Sequence, residues 1–349
     1  MCKRIIYILI LQLFITTPFI AQDVVFTNLG SNPLYTSGAL TGSFNGKYRV
    51  GTGIRKQWIG ISKDALYNTK SIFADMKINT VKNDFFSFGI LLMDDISGSK
   101  RIKLGIASGL LSMSYSKHLY NNKYTGQNQY LTFGFQVGYG KRYFDGGSYL
   151  FGVQFDKSKQ QVDPDTPTGE SLLNSRLYPD INTGLMYYIS GKYSSFYLGA
   201  NIKHINKPNI SLLKDNISDI YQLYTGIVGG EFSINRNISL LPSTILNVQE
   251  SFLNIIIGSS LRYQYISKEN NAFRIGVWAR LPNSITGIFL ESISFSTGFE
   301  FNQFELNINY DITVSELNNT IGHRGAFELS LAYVWGDIPK NTPINCPKF

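Results

Sequence analysis

The sequence predicts an all-β fold, an antiparallel transmembrane β-barrel of about 14 strands and of outer-membrane type. Three observations predict it. Apolar residues alternate with polar or small ones over repeated segments of about ten residues. Aromatic residues make up 14% of the chain while Asp, Glu, Lys and Arg together make up only 16%, against about 25% charged residues in a typical soluble domain. No stretch after the N-terminal leader is apolar for long enough to cross a bilayer as a helix.

The leader comes first. Lys3 and Arg4 precede the apolar run IIYILILQLFITTPFIA, which ends near Ala21. A basic region followed by an apolar one is the pattern of a secretory signal peptide, so residues 1–21 are expected to be removed at Ala21 or Gln22. Cys2 leaves with this leader and Cys346 is the one thiol that remains, so no intrachain disulfide can form in the mature chain. No linker or charge run divides the rest. Residues 22–46 are expected to form an N-terminal periplasmic or lumen segment, residues 47–335 the barrel, and residues 336–349 a periplasmic tail. Pro339, Pro343 and Pro347 bar that tail from further strand pairing.

Within the barrel region the period is two. YLTFGFQVGYG sets Leu131, Phe133, Phe135, Val137 and Tyr139 on one face and Thr132, Gly134, Gln136, Gly138 and Gly140 on the other. FFSFGILL, GSYLFGVQF, SSFYLGANIKH, ISFSTGFEF and FELNINYDI behave alike. A soluble sandwich would show Lys, Glu and Thr on its outward face. Here the second face is mostly Gly, Ser, Asn, Gln and Thr, and aromatics gather at segment ends, as at Tyr143 and Phe144, Tyr187 and Tyr188, Tyr263 and Tyr265, and Tyr333 and Trp335. An apolar outer band with aromatic girdles around a polar lumen predicts that arrangement.

About 328 residues remain after the leader, and a strand of about 10 residues with its share of turn and loop takes roughly 23, which gives about 14 strands. The periodic segments themselves number nearer fifteen, with the surplus expected between residues 84 and 120. Residues 157–180, with Pro164, Pro167 and Pro179, are expected to form a long extracellular loop. The last strand, GAFELSLAYVW, sends Phe327, Leu329, Leu331, Tyr333 and Trp335 to one face, which is expected to meet lipid. Such a strand suits recognition by an outer-membrane assembly machine, although fourteen residues follow Trp335.

At this point the chain resembles the PorP/SprF family of type IX secretion system outer-membrane proteins. NPLYTSGALTGS, with Asn32, Pro33, Ala39 and Gly42, is similar to that family's opening segment, and Arg55, Gln57 and Trp58 of RKQWIGI match its Arg-x-Gln-Trp signature. SYSKHLY, YPDINTGLMYY, FYLGANIKHINKP, LLPSTIL and FELSLAYVW follow in order, and the tail ends with CPKF, including Cys346, Pro347 and Phe349. One departure is Ser37-Gly38 before Ala39, where the family repeats Asn-Pro, so the turn there is expected to differ. The resemblance implies an outer-membrane barrel of a Gram-negative cell that works with type IX secretion components. It also implies that the barrel binds and helps to export or anchor a large secreted surface adhesin, through the adhesin's C-terminal domain, in some members for gliding motility.

Enzymatic chemistry finds little support. His118, His204 and His323 are the only histidines and fall in separate segments with no metal-ligand spacing, so they are expected to be structural, with no metal and no cofactor. No Gly-rich turn opens a helix, and MDDISGS lacks the spacing of a calcium loop. The formal charge is +8. Lys117, Lys141, Arg142, Lys203 and Arg262 are expected to meet outer-membrane lipid and lipopolysaccharide. They form no dense patch, so nucleic acid is not an expected partner. Arg49, Arg55 and Gln57 fall on the inward face of the first strand, where a charge must be paired or wet. Two function classes remain: a type IX secretion barrel that holds a client, and a channel or transporter for small solutes, which would share the architecture.

Overall fold

The computed structural model describes residues 23–336, apart from 59–64, 81–82, 100–101, 123–125, 147–151, 157, 159, 164–165, 168–172, 215, 266–270, 286 and 317–323. The leader and the tail, with Cys346, Pro347 and Phe349, lie outside the described residues.

Fourteen antiparallel strands form the barrel: β1 (Tyr48–Gln57), β2 (Ala65–Asn79), β3 (Phe85–Ser99), β4 (Ile102–Asn122), β5 (Gln127–Gly146), β6 (Ser175–Ser190), β7 (Ser194–Lys203), β8 (Leu223–Ser233), β9 (Ile238–Gln249), β10 (Phe252–Gln264), β11 (Asn271–Ser284), β12 (Ser292–Phe301), β13 (Phe304–Thr313) and β14 (Arg324–Trp335). Each pairs with its neighbours in sequence, and the sheet closes where β1 meets β14, in a ladder from Tyr48 opposite Trp335 to Gln57 opposite Ala326. Short turns at 191–193, 234–237 and 302–303 lie at one end, and longer connections at 147–174 and 204–222 at the other. By the usual asymmetry of such barrels, the first end is periplasmic and the second extracellular.

Polarity is inverted relative to a soluble domain. On β4, Leu111 and Met113 point outward and are more than half exposed, while Ser112, Ser114 and Ser116 between and beside them are buried inside. On β14, Leu329, Leu331 and Trp335 face outward with Glu328 and Ser330 buried inward. At the periplasmic end, Tyr48 stacks on Trp335 (5.5 Å between ring centroids), Trp335 on Tyr333 (5.2 Å), and Phe304 lies against Tyr333 (4.7 Å). These rings form part of an aromatic belt. Tyr188 departs from the girdle expected of it: it is buried inside, stacked on Tyr130 at 5.0 Å.

No surplus segment lies between residues 84 and 120, which hold only β3 and most of β4; the described end of GSYLFGVQF is the one that stays out of the barrel. Gly147 to Phe151 lie outside the described residues, and Gly152–Gln154 form a 3-10 turn that leads into a two-residue ribbon, Phe155–Asp156 paired with Gln161–Val162. Gly152 to Phe155, the described part of that segment, join no barrel strand, and β5 ends at Gly146 after 20 residues. The expected loop at 157–180 is also shorter, since β6 begins at Ser175 and contains Pro179. Pairing of β6 with β7 starts only at Thr183. Pro179 therefore has a strand partner on one side only, Tyr139 of β5, and the sheet tolerates its missing N–H.

Residues 23–46 occupy the lumen. Asp23 lies at the extracellular end, where its N–H donates to Gln249 Oε1 (3.0 Å). The chain then descends, and Lys47 N–H bonds to the Trp335 carbonyl at the periplasmic end before β1 begins. Asn32 caps the short helix α1 (Pro33–Thr36), with Pro33 in its first turn, and Ser37 accepts from Ala39 N–H (3.1 Å) to start a 3-10 turn at Gly38–Leu40. Leu29, Ala39 and Leu40 belong to one apolar cluster with Tyr188, Tyr197, Ile227, Ile256 and Trp278, and Phe26 and Leu34 to another with Phe73, Leu91 and Leu110. The fit is tight at Gly134, where a Cβ would overlap the Gly38–Ala39 peptide.

Replacing Leu331 by Arg, at mid-height on the outer face, is expected to destabilise the folded barrel in lipid vesicles by about 2–4 kcal/mol. Urea titrations followed by the gel shift of folded against unfolded barrel measure this.

Candidate functional site

The lumen segment is held by two clusters of charged side chains and one carboxylate bridge. At the extracellular end, His204, in the connection after β7, lies between two carboxylates: Nε2 is 2.9 Å from Asp23 Oδ2 and Nδ1 is 2.8 Å from Asp180 Oδ1. Its backbone N–H donates to Asn182 Oδ1 (2.9 Å), which fixes a backbone in the left-handed region (φ 55°). Lys203 Nζ sits 3.2 Å from the centroid of the Tyr35 ring. Burial alone would lower the His204 pKa, but the Asp23 charge and the hydrogen bonds to Asp180 and Asp23 outweigh it and push the imidazole up to about 9. The imidazolium is thus charged at neutral pH.

The second cluster lies on the closure seam. Arg55 of β1 reaches Glu328 of β14 and Asp311 of β13 (3.2 Å to the latter), and Arg280 of β11 reaches the same Asp311 at 3.5 Å. Thr27 of the lumen segment stands among them. Its N–H donates to Glu328 Oε1 (2.8 Å), while its hydroxyl accepts from Arg280 Nη2 (2.9 Å) and Arg55 Nη1 (3.2 Å). A register shift between Tyr310 and Ile312 brackets Asp311, the kind of irregularity that re-aims a side chain. Gln57 faces the same way, and with its amide turned so that the oxygen meets the guanidinium it accepts from Arg55 Nε (2.8 Å) and Nη2 (2.9 Å).

Lower down, Asp75 of β2 accepts from Arg49 Nε (2.9 Å) and Nη2 (2.7 Å) and also from Gly42 N–H (2.7 Å). Gly42 has φ 77°, and a Cβ there would strike Ser87, so this turn requires glycine. Below the segment a cavity of about 1150 Å³ opens to the periplasmic end, walled by Phe44, Arg49, Glu231, Arg262, Arg274 and Glu300.

Asn32, Pro33, Ala39, Gly42, Arg49, Arg55 and Gln57 therefore meet around the lumen segment. Trp58 does not join them: it follows β1 at the extracellular rim, its ring edge-on to Tyr67 at 4.6 Å. Phe327, Leu329, Leu331, Tyr333 and Trp335 lie on the outer face of β14. Of the basic residues expected at the lipid surface, Arg142, Lys203 and Arg262 sit at lumen-facing positions of their strands. Lys117 pairs with Asp84 at the periplasmic end (2.9 Å), and Lys141 is exposed on the outer face. His118 stays in the wall, 4.9 Å from the Tyr130 ring, and His323 lies outside the described residues. No group of three His, Cys, Asp or Glu able to hold a metal occurs among the described residues.

The carboxylate partners Asp23, Asp75, Asp180, Asp311 and Glu328 were not among the sequence candidates. Their one signal is parity: Asp311 and Glu328 fall on the polar face of FELNINYDI and GAFELSLAYVW.

The family model for "Type IX secretion system membrane protein PorP/SprF" matches residues 19–333. The chain belongs to this family. It is an outer-membrane β-barrel of the type IX secretion group, with PorP/SprF relatives rather than known enzymes as its kin. No curated protein matches the sequence. Among solved structures, a TodX deltaS2S3 mutant monoaromatic hydrocarbon channel is 11% identical, with 88% of this chain and 94% of that one covered at a TM-score of 0.45. The Ralstonia pickettii toluene transporter TbuX is 9% identical, with 89% and 95% covered at 0.49. The translocator domain of the autotransporter NalP from Neisseria meningitidis is 10% identical, with 88% and 99% covered at 0.36.

Two outcomes follow from these clusters. Glu328→Ala leaves Arg55 and Arg280 to share Asp311, and is expected to cost about 3–5 kcal/mol in urea unfolding of the refolded barrel. His204 binds its proton more tightly folded than unfolded, so its contribution is complete below about pH 6.5 and lost as the pH rises through about 9. Unfolding measured from pH 6 to 10 is expected to show this loss in the native chain and not in His204→Asn; the same slope in both would place its origin elsewhere.

Proposed function

We propose that this barrel binds a large secreted surface adhesin, or its C-terminal domain, and helps to export or anchor it together with other type IX secretion components, in support of gliding motility. The observation that carries this reading is the occupied lumen: residues 23–46, pinned by His204, Arg55 and Arg49, stand where a solute channel would need free space. The barrel then works through its surfaces. Its sheet is closed and offers no free edge within the bilayer, whereas the extracellular ribbon of Phe155–Asp156 and Gln161–Val162 does, and an extended client strand could add to it. The role is binding rather than catalysis, in keeping with a His204 whose two ring nitrogens are both taken by carboxylates.

In this reading residues 1–21 are the export signal, residues 336–349 a periplasmic tail, and lipid and lipopolysaccharide the barrel's surroundings. The polar cavity at the periplasmic end favours a second reading, passage of small solutes, if the lumen segment can leave.

Purification in mild detergent from native outer membranes, through a tag in the 204–222 connection, is expected to bring one large adhesin or type IX components with the barrel. Recovery of the barrel alone, conducting ions in planar bilayers without removal of residues 23–46, would overturn the proposal in favour of the channel.

A further inference from the structure

Seven arginines occupy lumen-facing positions on the described strands, and five of them have a carboxylate. Arg49 pairs with Asp75, Arg55 with Asp311 and Glu328, Arg262 and Arg274 with Glu300, and Arg280 with Asp311. The other two are Arg142 and Arg176. They are direct register partners across β5 and β6, near the extracellular end, and no ion pair joins either to a carboxylate among the described residues. Arg142 donates one bond, from Nη1 to the Ile210 carbonyl at 3.3 Å, and the Nε atoms of both are out of water with no acceptor.

That arrangement costs stability by itself. Facing residues of an antiparallel pair have Cβ atoms about 5 Å apart, where like charges repel, and a buried donor without an acceptor is a further penalty. The same fold neutralises its five other lumen arginines internally, so the missing charge at this pair marks a place for one supplied from outside. The surroundings suit it. Tyr178 with Ile210 and Ile220, the latter two from the connection above, makes an apolar flank that strengthens any charge contact beside it. Both side chains remain half-buried rather than sealed. They face the lumen, so lipid headgroups in the surrounding bilayer do not meet them.

We propose that Arg142 and Arg176 form an oxyanion-binding site at the extracellular mouth of the barrel. It takes a carboxylate or phosphate group carried by a ligand from the cell exterior, each planar guanidinium gripping oxygen atoms in its fork. The site is independent of the client proposed above: either can fail without the other.

The test uses the full purified chain in detergent at low salt, titrated calorimetrically with a tetra-aspartate peptide and, separately, with inorganic phosphate. At least one probe is expected to bind, tenfold or more weakly in Arg142→Gln and in Arg176→Gln, and not measurably in the double variant. Binding of the peptide alone assigns the site to carboxylates, and binding of phosphate alone to phosphorylated ligands. Without an anion, Arg176→Gln is expected to unfold at the same temperature as the native chain or higher, because it removes the repulsion. Arg176→Lys keeps the charge without the fork, and is expected to fold and to bind weakly, which secures the test if a Gln variant misfolds. No binding of either probe, or binding unchanged in the double variant, overturns the proposal. So does a Gln variant that is less stable with no anion present, since the pair would then serve the fold alone.

Discussion

Hydrocarbon offers no partner to a backbone N–H or C=O, so a sheet that crosses a bilayer must have no open edge. In this chain that requirement falls on one ladder, β1 against β14, from Tyr48 opposite Trp335 to Gln57 opposite Ala326. The remaining strands pair with their neighbours in sequence. Among the strand ladders the seam alone joins residues almost three hundred apart, and the chain reinforces it with more than backbone bonds. Arg55 ties the first strand to the last two, and Thr27 of the lumen segment bonds to all four charged members of that cluster, Arg55, Arg280, Asp311 and Glu328. Closure of the wall and occupation of the lumen are therefore coupled through the same few atoms.

The inward charges obey a second constraint. Breaking a buried ion pair leaves an uncompensated charge at a cost of several kcal/mol, so five of the seven inward arginines are held against carboxylates. Asp75 shows how the fold meets this, taking both Arg49 and the Gly42 N–H, so that one carboxylate anchors the wall and the segment inside it. Asp23 and Asp180 do the same around His204. The lumen segment is thus part of the charge balance of the barrel and not merely a filler of space.

Much of the architecture could be read from period-two alternation, because lipid outside and polar groups inside stamp opposite chemistry on successive residues. The outward faces of β5 and β14 followed directly. Alternation says nothing about pairing, however: Val153 and Phe155 alternate with Gln154 yet join no barrel ladder, and Pro179 stands within a strand because the next ladder starts only at Thr183. Arg49, Arg55 and Gln57 were legible as inward groups by parity. Their partners were not: His204 meets Asp23 across 181 residues, a relation set by the path of the lumen segment and by nothing local. Arg142 illustrates the same limit, since its charge suggested the lipid surface and only the register of β5 turns it inward.

That path changes the parity of the whole chain. An even number of strands returns a polypeptide to the side from which it set out, and fourteen would leave both ends of this one facing the periplasm. Residues 23–46 add a fifteenth passage, made inside the wall instead of as part of it, from Asp23 beside His204 to Lys47 beside Trp335. Asp23 and Gly336 consequently lie on opposite sides of the membrane, and the barrel encircles a length of its own backbone as a ring encircles a thread.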